Sequence, residues 1–195
     1  MSDTNGKAHE EERNLEAAQT AGAEPYKEPS KEPSKEAPEE EGAGEASEHA
    51  FPVVGIGASA GGLDALKKFF AAVPEVTGMA FIVMIHMHPE QTSVMSQLLQ
   101  RETVIPVKFA EDGDTLGAGQ AYVIPPNSHV NLFKGTIQLF PPPENRGFLA
   151  VDVLFRSLGI DQGRFAAGIV LSGTGSDGTL GVKEIKNNDG LVLVQ

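Results

Sequence analysis

Apolar and polar positions alternate in blocks through residues 51–195, and the blocks predict strands and helices in turn. Residues 79–85 are continuously apolar, which is typical of a strand buried on both faces of a parallel sheet. Residues 62–73 instead carry apolar side chains three or four positions apart, which predicts an amphipathic helix. The apolar residues of that helix are Leu63, Leu66, Phe69, Phe70 and Val73.

The same two patterns predict the other elements of the domain. Residues 130–140 predict a hairpin that turns at Lys134 and Gly135, and Asp152 is the predicted N-cap of a helix. Alternating strands and helices indicate an α/β fold, with three α/β/α layers, a mainly parallel doubly wound sheet and an antiparallel hairpin insertion. Further strands are expected at residues 52–57, 104–109, 121–124, 165–171 and 191–194, and further helices at residues 92–101, 152–158 and 178–187.

Residues 1–50 differ from the rest of the chain in composition. They hold fourteen of the 27 acidic residues and five of the 15 basic ones, so most of the formal net charge of −12 lies there. Proline recurs through residues 25–38 and apolar side chains are sparse, which predicts a disordered acidic tail. Two roles stay open for the tail, an inert solubilising extension and a docking segment. Residues 51–195 are expected to form the ordered domain.

Composition also excludes several classes of protein. The expected domain is close to neutral and has no basic patch, so no nucleic-acid partner is expected. No apolar run reaches the roughly 18 residues of a membrane span, so direct insertion into a membrane is not expected. The chain has no cysteine, which excludes disulfides and thiolate chemistry and fits a cytoplasmic protein.

A glycine-rich turn joins the first predicted strand to the first predicted helix. Gly57, Ser59 and Gly61 fit the G-x-S-x-G pattern of a nucleophile elbow. We expect these glycines to supply the φ values and the close backbone approach that a sharp strand-to-helix turn requires. Residues 55–60 also fit a dinucleotide-binding fingerprint, but that motif requires an acidic residue at the end of the second strand, where His86 stands.

His86 and Asp177 follow two other buried strands. Because the carboxyl ends of parallel strands meet at one edge of a sheet, Ser59, His86 and Asp177 are expected to converge. Serine needs an imidazole to accept its proton, and the imidazole needs a carboxylate to orient it. His88 competes with His86 as the base, and Asp177 is also a common type of turn or N-cap residue. No H-E-x-x-H pattern accompanies the histidines, so no metal is expected.

Five segments, in the right order, resemble the catalytic domain of bacterial chemotaxis protein-glutamate methylesterases, the CheB family. The residues around Ser59 and Asp177 are most similar to the methylesterase part of methylesterase–methyltransferase fusions. The five segments span nearly all of residues 51–195. They are residues 55–62, the strand that ends in His86, and residues 122–126, 151–157 and 171–178.

The resemblance implies a reaction and a set of partners. Ser59 would attack the γ-carbonyl of a glutamate methyl ester in a chemoreceptor, His86 would be the base and then the acid for methanol, and Asp177 would orient His86. Family members also deamidate receptor glutamines. Backbone N–H groups of Ala60 and Thr174 would form the oxyanion hole. The implied partners are a methyl-accepting chemotaxis receptor and, in a fusion, a methyltransferase module; no cofactor is implied.

The chain also departs from the family's usual pattern. Ile85 stands where a glutamine usually precedes the histidine, and Ala60 stands where many members have threonine. The family's receiver domain has no counterpart in residues 1–50, so control by a linked receiver is not expected. The family's domain continues past the position of Gln195, so we expect a C-terminally incomplete domain of low stability and activity. The alternative function is a non-catalytic receptor-docking or signalling module of a larger fusion.

Overall fold

The computed structural model of the protein describes residues 51–86, 94–142, 149–171 and 176–195. No helix within these ranges is both long and apolar enough to cross a membrane. The strands described are β1 (Val53–Ser59), β2 (Ala80–His86), β3 (Val107–Phe109), β4 (Ala121–Val123), β5 (His129–Phe133), β6 (Thr136–Phe140), β7 (Ala166–Val170) and β8 (Leu191–Val194). The α-helices described are α1 (Leu63–Ala71), α2 (Met95–Gln100), α3 (Ala150–Gln162) and α4 (Thr179–Asn187).

Six of the strands form one parallel sheet, in the order β3-β4-β2-β1-β7-β8. Strands β5 and β6 pair separately as an antiparallel hairpin, which turns between Phe133 and Thr136. Strand β2 lies on one side of β1, whereas β7 and β8 lie on its other side, so the strand order reverses at β1. Open parallel sheets bind ligands beside such a reversal, at the carboxyl ends of the strands. The predicted α/β fold with a hairpin insertion is confirmed.

Helices cover the sheet on two faces, and each face has its own apolar core. On the α1–α2 face, Leu66 and Phe70 of α1 and Met95 and Leu99 of α2 are fully buried against the sheet. The α3–α4 face adds the hairpin to its two helices. Its fully buried residues include Leu154, Phe155 and Leu158 of α3, Ile185 of α4, and Val130 and Ile137 of the hairpin.

Two glycines of β1 let helix α3 lie directly on the sheet. A Cβ atom at Gly57 would lie 2.4 Å from Cγ1 of Val151, and one at Gly55 would lie 2.8 Å from Cδ2 of Leu158. Neither glycine has a positive φ, and Ser59 itself is extended at φ −93° and ψ 175°. Gly61 has no positive φ either, so the expectation that Gly57 and Gly61 supply unusual φ values is wrong. Gly55 and Gly57 allow a close backbone approach, which was expected of Gly57, since any side chain would force α3 away from the strand.

Helix α3 begins earlier than its sequence predicts. Its N-cap is Leu149 and its first residue is Ala150, so Asp152 lies inside the first turn. The prediction that Asp152 caps its own helix is therefore wrong. Its side chain is 9% exposed and accepts a hydrogen bond from the N–H of Gly181, in helix α4. Asp152 caps another helix because α4 begins beside the first turn of α3.

One carboxylate, near the C-terminal end of α3, links that helix to the hairpin. Asp161 Oδ1 accepts a hydrogen bond from the N–H of Lys134, and its Oδ2 accepts one from the N–H of Gly135 at 2.9 Å. Lys134 and Gly135 both have positive φ angles, of 51° and 70°. The carboxylate therefore holds the two N–H groups of a tight turn that the strands alone do not satisfy.

Candidate active site

Ser59 and His86 lie at the carboxyl ends of neighbouring strands. Strands β1 and β2 pair in a register that sets Val53 opposite Ala80 at one end and Ser59 opposite His86 at the other. Each strand is buried up to that last residue, because six apolar or glycine residues precede Ser59 and six apolar residues precede His86. The length of the two buried runs therefore determines that both polar side chains emerge together at this edge.

Asp177 reaches the same edge from the segment that follows β7. Its Oδ2 lies 3.2 Å from Nε2 of His86, and their side chains are 11% and 48% exposed respectively. Because Nε2 faces the carboxylate, Nδ1 is the ring nitrogen left for a second partner. Ser59, His86 and Asp177 thus lie together at one edge of the sheet, as the sequence predicted. Their roles in a reaction remain a prediction at this point.

The carboxylate of Asp177 is oriented by the beginning of helix α3. Its Oδ2 accepts a hydrogen bond from the N–H of Val151 at 3.0 Å, and its Oδ1 accepts one from the N–H of Asp152 at 2.9 Å. These are N–H groups of the first turn, which have no acceptor within their own helix. The positive end of a helix dipole also favours a negative charge there. The side chain facing His86 is thus fixed by two backbone donors.

A small pocket of about 70 Å³ opens between these groups. A volume of this size accommodates a few atoms of a substrate side chain, well below the roughly 300–1,000 Å³ of sites that enclose whole small molecules. The pocket therefore suits the reacting end of a side chain presented from outside. Its lining consists of Gly57, Ala58, Ser59, His86, Val151, Val170, Leu171 and Asp177.

A second histidine, which the sequence did not single out, lies near this site. His129 begins strand β5, is only 5% exposed and stacks on Phe140 with ring centroids 6.0 Å apart. Burial lowers the pKa of His129 below its ordinary value, and the neighbouring His86 lowers it further, while Asp177 acts in the opposite direction. The sequence indicated only an alternating strand after a turn, and the two charged groups that act on His129, His86 and Asp177, lie more than forty residues away in sequence.

Other predicted positions are only partly described. Ala60 directly follows Ser59 and begins the 3-10 turn Ala60–Gly62. Thr174 and His88 lie outside the described residues, so the second oxyanion donor and the competing base stay predictions. Within the ranges given above, no three His, Asp or Glu side chains are grouped closely enough to hold a metal ion.

A serine, an imidazole and a largely covered carboxylate at one sheet edge form the class of site that transfers acyl groups from esters and amides. Comparison with known proteins identifies the family. Residues 54–195 match the family model of the CheB methylesterases, and the chain belongs to this family. The CheB methylesterase catalytic domain of Thermotoga maritima has a similar crystal structure, with a TM-score of 0.66 and 26% identity. That match covers 73% of this chain and 78% of the other.

Curated relatives share about a third of their residues with this chain. A protein-glutamate methylesterase/protein-glutamine glutaminase of Photorhabdus laumondii is 35% identical over 148 residues, which are 73% of this chain and 42% of the relative. One of Trichodesmium erythraeum is 37% identical over 150 residues, with the same two shares. A Leptospira interrogans relative with both activities in its name is 31% identical, covering 74% and 76%. The chain spans less than half the length of the first two.

Proposed function

We propose that this chain is a protein-glutamate methylesterase, a serine hydrolase that removes methyl groups from glutamyl esters of bacterial chemoreceptors. The observation that carries the proposal is the contact of 3.2 Å between His86 and Asp177, beside a serine in register with His86. Membership of the CheB methylesterase family supports the substrate class. The names of the relatives support a second activity, deamidation of receptor glutamine.

In the proposed reaction, Ser59 Oγ attacks the ester carbonyl as its proton passes to Nδ1 of His86. The Nε2–H of His86 donates to Asp177, which stabilises the imidazolium form. Backbone N–H groups of Ala60 and Thr174 are the proposed donors to the tetrahedral oxyanion. His86 then protonates the leaving methoxide, and methanol departs. Water attacks the acyl-enzyme by the same route, which releases a glutamate and restores Ser59.

The proposed deamidation uses the same groups. Ammonia leaves instead of methanol, because His86 protonates the amide nitrogen of a glutamine side chain in the tetrahedral intermediate. Both substrates give the same acyl-enzyme on Ser59, so the hydrolysis step is common to the two reactions. The small pocket is consistent with a substrate that inserts only the end of its side chain.

The organisation proposed around this site has two parts. Residues 51–195 are proposed to be the methylesterase domain, and residues 1–50, which lie outside the described residues, are proposed to be an acidic tail. The protein substrate is a methyl-accepting chemotaxis receptor in the cytoplasm, and a methyltransferase module is a proposed additional partner. An acidic tail is repelled by anionic membrane surfaces, which favours approach to the receptor rather than to lipid.

The test is methanol release from a methylated receptor fragment. The wild-type chain is expected to release methanol, and Ser59→Ala is expected to reduce the rate by at least about 10³-fold because it removes the proposed nucleophile. Ser96→Ala removes a hydroxyl from helix α2, which lies on the opposite face of the sheet from α3, and should retain the wild-type rate. No release by the wild type would favour a non-catalytic docking module. Release by Ser59→Ala would contradict the nucleophile assignment.

The two candidate bases require a separate comparison. His86→Asn is expected to lower kcat by at least about 10³-fold, whereas His88→Asn should stay within about threefold of the wild type. Asparagine preserves polarity at both positions, so the comparison isolates proton transfer. The opposite result would assign the base to His88.

A further inference from the structure

Helices α3 and α4 begin side by side, and neither has a side-chain cap of its own. The N-cap positions are Leu149 for α3 and Gly178 for α4, and neither contributes a side-chain hydrogen bond. A helix leaves its first N–H groups without an acceptor inside the helix. Acceptors for both helix ends must therefore come from elsewhere.

The two helices exchange carboxylates instead. Asp177 precedes α4 and accepts the N–H groups of Val151 and Asp152 in α3. Asp152 of α3 accepts the N–H of Gly181 in α4 at 2.6 Å. Gly181 is required for this approach, since a Cβ there would lie 3.0 Å from the Cα of Asp152. Each helix is thus capped by a residue of the other segment.

We propose that Asp152 is a positioning residue for the Asp177 carboxylate, which it holds through this reciprocal capping. Asp152 acts at two points. Its backbone N–H fixes one oxygen of Asp177, and its side chain fixes the start of α4, four residues after Asp177. The intervening Gly178 has a φ of 97°, so the short connection is a defined turn. Both the side chain and the backbone of Asp177 therefore depend on Asp152.

The burial of Asp152 indicates that it positions Asp177 and does not merely stabilise the fold. Its Oδ2 is buried and has no hydrogen-bond partner among the residues that the structure describes. A buried carboxylate with one oxygen unsatisfied costs stability, typically about 1–3 kcal/mol or more for a charged group. Ser157 is the matched contrast, because it is buried in the same helix and donates only to the local carbonyl of Leu154, at 3.0 Å.

Because this role rests on the proposed function, the experiment includes measurements that need no receptor. Asp152→Ala removes the cap, Asp152→Asn keeps a carbonyl oxygen as acceptor, and Ser157→Ala is the buried polar control. Three quantities are measured: kcat and KM for methanol release, the rate at which a fluorophosphonate labels Ser59, and hydrogen exchange at the Val151 amide.

Asp152→Ala is expected to lower kcat and the labelling rate about 10–100-fold, as loss of a supporting contact does elsewhere, with KM changed less than about twofold. The Val151 amide should exchange at least about tenfold faster, because its acceptor on Asp177 is displaced. Asp152→Asn should recover kcat and labelling to within about threefold, and Ser157→Ala should change none of the three quantities.

Several results would overturn the proposal. One is a folded Asp152→Ala protein whose labelling and Val151 exchange match those of Ser157→Ala. Another is an Asp152→Asn protein as impaired as Asp152→Ala, since the acceptor would then not matter. If Asp152→Ala does not fold, Asp152→Ser replaces it, and failure of both to fold would assign Asp152 a purely structural role. If the wild type releases no methanol but labelling and exchange respond as expected, only the proposed substrate fails.

Discussion

Beneath helices α1 and α2, the buried side chains of the described chain are all apolar, whereas the layer of α3, α4 and the hairpin contains buried polar residues. Three rings form the centre of the first face, with edge-to-face centroid distances of 5.4 to 5.9 Å among Phe69, Phe70 and Phe81. The buried polar residues of the second layer are His129, Asp152 and Ser157.

The second layer is also joined by carboxylates that accept backbone N–H groups from neighbouring elements. Asp177 and Asp152 link α3 with α4, Asp161 links α3 with the hairpin, and Asp112 accepts the N–H of Leu139 in β6 at 2.8 Å. Apolar contacts stabilise without fixing direction, whereas hydrogen bonds fix orientation. We infer that the first face mainly stabilises the sheet, and that the second also positions the site.

The largest expected effect is a loss of activity with little loss of stability, in a variant of the second layer. Asp177→Asn is expected to lower kcat for methanol release about 10⁴-fold, because an amide no longer orients His86 or stabilises its cationic form. The free energy of unfolding should fall by only about 1–2 kcal/mol, the usual cost of a weakened helix cap. Steady-state kinetics and urea unfolding measure the two quantities.

Asp161→Asn is the matched control for that variant. Asp161 also accepts two backbone N–H groups of a neighbouring element, but those groups lie in the hairpin turn. Its stability cost should be similar, and its kcat should remain within about threefold of the wild type. Comparable loss of activity in both variants would show that the second layer acts through general stability.

On the α1–α2 face we expect the reverse, a loss of stability with little loss of activity. Phe70 is 0% exposed and contacts both other rings of its aromatic cluster. Phe70→Ala should reduce the free energy of unfolding by about 3–5 kcal/mol, because it removes a large buried ring and leaves a cavity. Activity per folded molecule should stay within about threefold. Val76→Ala, at a side chain that is 91% exposed, is the control and should change stability by less than about 0.5 kcal/mol.

Activity per folded molecule is the decisive measurement for Phe70→Ala. It is obtained by dividing the rate of methanol release by the folded fraction from near-ultraviolet circular dichroism. If activity per folded molecule falls by more than about tenfold, the inference that the first face mainly stabilises the sheet is contradicted.

The two faces also differ in how far the sequence predicted them. Apolar spacing predicted the strands and helices of both faces and the convergence of Ser59, His86 and Asp177, because each follows a recognisable buried strand. The cap role of Asp152 could not be predicted, since its acceptor role depends on Gly181, 29 residues later. The packing partner of Gly57 could not be predicted for a similar reason, because Val151 is distant in sequence.

An acid-dependent loss of stability is the next expected effect. The pKa of His129 is lowered in the folded protein, so between that value and its unfolded value of roughly 6.5 the unfolded state binds a proton that the folded state does not. Stability from this group is therefore present above about pH 6.5 and falls as the pH decreases. The groups that act on His129 are His86 and Asp177.

Urea unfolding at pH 7.5 and pH 5.0 measures this difference. His129→Asn should lose less stability between the two pH values than the wild type does, because asparagine does not titrate. Phe140→Leu, which alters the ring stacked on His129 without removing the titrating group, should keep the wild-type difference. An unchanged difference in His129→Asn would exclude His129 as a source of the acid sensitivity.

The smallest expected effect lies at the β3 edge of the sheet, on the surface. Lys108 Nζ lies 2.7 Å from Asp114 Oδ1, and the lysine side chain is 48% exposed. Burial raises the pKa of Asp114, but hydrogen bonds from Lys108 and the Glu111 N–H outweigh it, so that this pKa is lowered overall. Because water and salt screen an exposed pair, Lys108→Met should cost at most about 1 kcal/mol in low salt and less in high salt. Urea unfolding at two salt concentrations measures this, and a cost above about 2 kcal/mol would show that positioning polar contacts extend beyond the α3–α4 layer.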